Sequence, residues 1–65
     1  MPTLDEVQRA LQRCLEAEPP VDFALSADAS QLAAVFAEMR YARSHNVEAP
    51  AMKAKQVDAF DRWNT

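Results

Sequence analysis

An all-α domain of three helices is the fold class this sequence predicts, and three observations predict it. The 65 residues include no glycine, alanine is abundant and β-branched residues are few, a composition that favours helix and disfavours hairpins with two-residue loops, whose turns want Asn-Gly or Gly-X. Apolar residues recur at three- and four-residue spacing in three separate segments. Between those segments stand prolines and polar residues, where helices stop. A chain of this length builds one domain, taken as residues 1–65.

The first helix is expected over about 4–17. Thr3 is placed to cap it, and Glu6 three positions later reaches back in a capping box. Leu4, Val7, Leu11 and Cys14, widened by Ala10 and Leu15, make one apolar face. Asp5 and Glu6 sit where the helix dipole favours negative charge. Pro19 disfavours helical backbone at Glu18, so the helix ends near Ala17.

Residues 18–27 form a Pro-rich extended connector, stiffened by Pro19 and Pro20. Val21, Phe23 and Leu25 alternate with Asp22 and Ala24. No second alternating run exists to pair with them, so they are expected to form a strap whose apolar side chains pack over helix ends.

The second helix is expected over about 28–44, with Ser26 or Asp28 as its cap. Leu32, Val35, Phe36, Met39 and Ala42 or Arg43 form its main stripe, flanked by Ala29, Ala33 and Ala37. It should lie at the centre of the fold, with Asn46 as a left-handed terminator in a chain that has no glycine. The third helix is expected over about 51–63, with Pro50 preset for its first turn. Met52, Gln56, Ala59 or Phe60, and Trp63 share its inner face, joined by Val57. Short connections make the whole a compact three-helix domain.

So small a core rarely supplies more than about 3–5 kcal/mol. Cys14 is the only cysteine and His45 the only histidine, so the chain offers neither an internal disulfide nor a cysteine- and histidine-rich metal site. Without glycine there is no phosphate loop and no dinucleotide fingerprint. No metal and no cofactor is therefore expected. No apolar run long enough to span a bilayer and no leader segment is read, which points to the cytosol. Tight packing or a partner subunit remains as the source of extra stability.

The formal charge of −3 is unevenly placed, with two arginines against seven carboxylates over residues 1–39 and five cations against three carboxylates over 40–65. Two such halves neutralise each other within one fold or head to tail between copies. Arg40, Tyr41, Arg43 and His45 crowd the end of the second helix. There the exposed carbonyls favour positive charge, and the same groups serve as a contact for an acidic or apolar partner. Five aromatics are many for this size. Phe36 and Phe60 belong to the core, whereas Trp63, Tyr41 and Phe23 are hard to bury together and would anchor a partner. The expected function is accordingly non-enzymatic: a protein-interaction domain, or a homodimer, that docks through Arg40, Tyr41 and Arg43 with Trp63 or Phe23 beside them. The alternative is a small DNA-binding regulator presenting Lys53, Lys55 and Gln56 from the third helix, against which stands the negative net charge. A Cys14–His45 dyad is a catalytic pairing the residue types allow, though no spacing supports it, and the paired acids Glu16/Glu18 and Asp58/Asp61 read as solvated helix surface.

Leu4, Ala10, Pro19 and Leu25, then "LAAVFAEMRYAR" and "VDAFDRW", together resemble a small family of uncharacterised proteobacterial domains known only as a domain of unknown function. The resemblance runs over nearly the whole chain. It is carried in the second helix by Leu32-Ala33, Phe36, Met39 and Tyr41, and at the end by Trp63. Arg40 departs from it where an apolar residue is expected, and Phe36 where tyrosine is commoner. The resemblance implies a compact helical domain and no catalytic residue.

Overall fold

Thr3 and Glu6 close the box their spacing predicts. The Thr3 amide donates to Glu6 Oε1 at 2.9 Å and the Glu6 amide to Thr3 Oγ1 at 3.2 Å. Helix α1 follows over Leu4–Ala17 and stops two residues before Pro19, with Glu18 as its C-cap. This is a computed structural model, and it describes residues 2–64. Met1 and Thr65, the ends of the expected 1–65 domain, lie outside them.

The connector departs from the expected strap. Val21 and Ala24 exchange both backbone hydrogen bonds, at 3.1 and 2.8 Å, across Asp22 and Phe23, whose φ angles are 51° and 66°. That is a two-residue hairpin turn with both central residues left-handed, a geometry that normally calls for Asn-Gly. Nor do its apolar side chains cover helix ends: Val21, Phe23 and Leu25 are all exposed, Phe23 completely. The chain after Pro20 closes a turn on itself instead.

A bulky residue at left-handed φ strains the backbone by about 1–2 kcal/mol. Glycine relieves this but gives back about 0.5–1 kcal/mol as unfolded-state entropy. Phe23→Gly, which removes no buried contact, is therefore expected to stabilise the domain by about 0.5–1 kcal/mol, read as a higher denaturation midpoint.

Helix α2 spans Ala27–Ser44, with the Ser26 hydroxyl accepting from the Ala29 amide at 3.2 Å. Ser26 is the cap, and Asp28 is left free for another role. At the far end His45 is the C-cap and Asn46 is left-handed, with φ 53°. The Val47 amide bonds the Ala42 carbonyl at 2.9 Å and the Asn46 amide the Arg43 carbonyl at 3.4 Å. These are the two bonds of a Schellman ending, with asparagine in the place glycine usually holds.

Helix α3 spans Ala54–Trp63, beginning three residues later than expected. Pro50 is thus not in its first turn. Lys53 is extended and is the N-cap residue, and its amide donates to Gln56 Oε1 at 2.9 Å. The side-chain bond that starts the helix is made by Gln56, which fixes the start at Ala54. The stretch from Val47 to Met52 is used in crossing from one helix to the next.

The helices run up, down and up. Cys14 near the end of α1 lies 3.7 Å from Ser26 at the start of α2, and Trp63 at the end of α3 bonds Asp28 at the start of α2. Val7, Ala10 and Cys14 of α1, Ala29, Leu32 and Val35 of α2, and Ala59 and Phe60 of α3 form the core. Helix α2 packs on both others and is central, as its composition implies. Alanines at 10, 29 and 59 allow the close approach. Phe36 is half-buried at the margin of the core rather than within it, and Val57 is exposed rather than on the inner face.

Candidate functional site

The end of α2 and the crossing to α3 build a groove. Ala37, Glu38 and Tyr41 come from adjacent turns of one helical face, and the Schellman ending turns the chain back so that Val47 arrives beside Ala42. Pro50 and Glu48 complete the wall, around a volume of about 460 Å³. The lining is mostly apolar, with Glu38 and Glu48 its charged members.

Tyr41 is well exposed there and held from behind. Its ring stacks on His45 with centroids 4.0 Å apart and planes 20° from parallel. The His45 Nδ1 lies 2.9 Å from the Tyr41 carbonyl, so the imidazole is itself anchored. The stack restricts Tyr41 before anything binds, which lowers the ordering cost of an aromatic contact.

The arginines do not converge on this groove. Arg40 places its guanidinium carbon 5.8 Å from the centroid of Phe36, within cation–π range. These two residues, where the sequence departs from the pattern it resembles, are thus each other's neighbours. Arg43 stands about 160° round the helix from Tyr41, at about 100° per residue. An acidic partner would meet the arginines outside the groove rather than within it.

Trp63 and Phe23 are not beside Tyr41. Trp63 donates its indole Nε1–H to Asp28 Oδ2 at 2.9 Å and packs on the core, while Arg62 forms an ion pair with the same oxygen. The Trp63 carbonyl in turn accepts from Arg13 Nη1 at 3.4 Å. Hydrogen bonds from Arg62 and then Trp63 hold the Asp28 carboxyl below its ordinary value, and Asp28 raises Arg62. Asp28 and Tyr41 are 13 residues apart on one helix, about 20 Å. Trp63 is therefore part of a clasp joining all three helices at the opposite end of the bundle. Phe23 lies at that end too, in the turn before α2. Nothing in the sequence links Asp28 with Arg62 or Trp63, because the pairing needs α2 and α3 antiparallel.

Of the residues assigned to nucleic acid, Lys53 and Lys55 are exposed. Gln56 is 4% exposed and its amide oxygen is committed to the Lys53 backbone, so it is not presented to a base edge. Cys14 is fully buried, its sulfur 3.7 Å from the Ser26 hydroxyl and 4.0 Å from Glu18 Oε1. His45 is at the other end of α2, about 28 Å from Ser26 along the axis. The two cannot form a dyad. Among the described residues no helix is long and apolar enough to cross a membrane, and no group of three or more His, Cys, Asp or Glu is placed to hold a metal ion.

A family model described as a protein of unknown function, DUF3717, matches residues 3–65. No curated protein and no solved structure matches the chain.

Proposed function

We propose, from the premise that the chain belongs to the DUF3717 family of proteins of unknown function, that it acts as a non-enzymatic protein-interaction domain whose contact site is the groove under Tyr41. The observation that carries this reading is the groove itself: an open apolar hollow of about 460 Å³ walled by Ala37, Tyr41, Val47 and Pro50. Tyr41, preset by His45, is the residue type that dominates interface hot spots. Glu38 and Glu48 select against a carboxylate entering the hollow. The ligand chemistry this implies is an apolar side chain, aromatic or branched, carried on a protein. Acidic groups on that protein would fall to Arg40 and Arg43, outside the wall.

The molecule suits DNA less well. Lys53 and Lys55 share their surface with Glu38, and Lys55 also with Asp28 and Asp58, and the one residue typed to read a base is buried.

An amide-resolved titration with N-acetylphenylalanine amide tests the groove. Shifts are expected to centre on Ala37, Ala42, Val47 and Glu48 and to vanish in Tyr41→Ala, which removes an exposed side chain and should leave the fold intact. Shifts that centre on another surface, or that persist unchanged in Tyr41→Ala, count against it.

A further inference from the structure

We propose that the occupant of the groove is a second copy of this chain, which inserts Phe23 from the tip of its Val21–Ala24 turn, so that copies join head to tail. The inference rests on the reading of the groove as a docking site and names what docks there. Its first support is the tip. Phe23 is completely exposed, and the turn that presents it is closed by two backbone hydrogen bonds. The backbone holds a left-handed conformation at φ 66° that a phenylalanine adopts at an energetic penalty. A rigid turn that carries a bare aromatic ring in a disfavoured conformation is shaped as a plug, and strain held at such a place points to use.

The second support is position. The tip and the groove lie at opposite ends of α2, so no copy reaches its own groove, and each copy offers one plug and one socket. The third is charge. Residues 13–28 and 57–64, together with Lys55, which lines one hollow with Asp28 and Asp58, form the turn end and carry six carboxylates against three cations, while the remaining residues carry four of each. Turn-to-turn pairing would bring two acidic ends together, whereas head-to-tail pairing sets an acidic end on a neutral one, with Asp22 beside the inserted Phe23 left outside the hollow towards Arg40 and Arg43, clear of Glu38 and Glu48.

A contact of this kind is heterologous and does not close on itself as a two-fold dimer does, so the mean size should keep rising with concentration. One aromatic ring buries about 150–250 Å², far short of the about 800 Å² per partner of a stable complex. The association is therefore weak and transient.

Light scattering and sedimentation of the full chain over a wide concentration range test it. The wild-type mean mass should rise with concentration. Phe23→Gly, which relieves the turn and cannot be dismissed as unfolded, and Tyr41→Ala should each weaken that rise at least about tenfold. An equimolar mixture of the two variants should form a dimer and grow no further, because one keeps its groove and the other its tip. A wild type that stays monomeric, a single variant that associates like the wild type, or a mixture that stays monomeric overturns the proposal. If Phe23→Gly still binds N-acetylphenylalanine amide at the groove while the wild type never associates, only the second-copy occupant falls; if the probe does not bind either, the groove falls with it. Phosphatidylcholine vesicles that retain the wild type but not Phe23→Gly, with no self-association, would assign the tip to a lipid surface instead.

Discussion

Leu32→Ala is expected to abolish the folded state at room temperature. Leu32 is fully buried in the first half of α2 and, among the described residues, is the largest of the side chains with no exposure at all. Truncating a buried leucine removes its transfer free energy and leaves a cavity, together costing about 2–5 kcal/mol. A domain of this size has about 3–5 kcal/mol to lose. The surrounding residues cannot collapse into the space easily, because Ala10, Ala29 and Ala59 already bring the helices close. Far-UV circular dichroism should show the helical signal collapse, while Tyr41→Ala keeps it. Phe36→Ala should be milder, since Phe36 is only half-buried; a Leu32→Ala chain that melts like the wild type would mean that α2 is not the central helix.

Asp28→Ala is expected to cost about 1–3 kcal/mol, the range for a charge-assisted hydrogen bond together with a donor left without its partner. The ion pair with Arg62, which is more than half exposed, supplies little of this; most of the loss falls on the Trp63 indole N–H, left partly buried. Asp28→Asn keeps an acceptor for the indole and should lose less. Trp63 emission reports the opening of the clasp directly.

The same site sets a pH dependence. In the folded chain Asp28 titrates below its ordinary 3.8, so the unfolded chain binds its proton first as the pH falls. Its stabilisation is complete above about pH 4 and disappears as the pH drops through the folded value. The wild type should lose melting temperature on acidification below about pH 4, and Asp28→Ala should lose less over the same interval. Glu6, lowered by the Thr3 amide and hydroxyl, has the same sign; an acid profile unchanged by Asp28→Ala would show that the clasp is not a source of stability.

The Phe23 turn and the Leu32 core bear on opposite sides of one balance. A small core leaves little margin, yet the chain keeps a left-handed phenylalanine in full contact with water. Stabilising substitutions in natural proteins are often those that remove function. Phe23→Gly is expected to belong to that class, gaining stability and losing association.

Much of the local structure was legible in the sequence because it depends on residues within a turn of one another. The Thr3–Glu6 box, the stop before Pro19, the Asn46 terminator and the buried stripe of α2 all follow from spacings of three to five residues. The start of α3 lies three residues later than its spacing predicts because Gln56, buried on the inner face as expected, also takes the Lys53 amide with its side chain. The turn at Val21–Ala24 is not legible in the sequence because the signals for it, glycine above all, are absent, and only the closed chain path makes the left-handed pair acceptable.

Which aromatics reach water could not be read in one dimension. Trp63 and Tyr41 have similar burial to gain, and what separates them is an antiparallel packing that brings Asp28 within 2.9 Å of an indole 35 residues away and leaves Tyr41 at the other end. The groove likewise exists only where the chain leaving α2 doubles back over it. Sequence determined three helices, their stops and their oily faces, since those are set by short-range periodicity and capping. Tertiary structure alone decided the clasp, the groove and the bare Phe23, since each is a matter of which distant side chains the bundle makes neighbours.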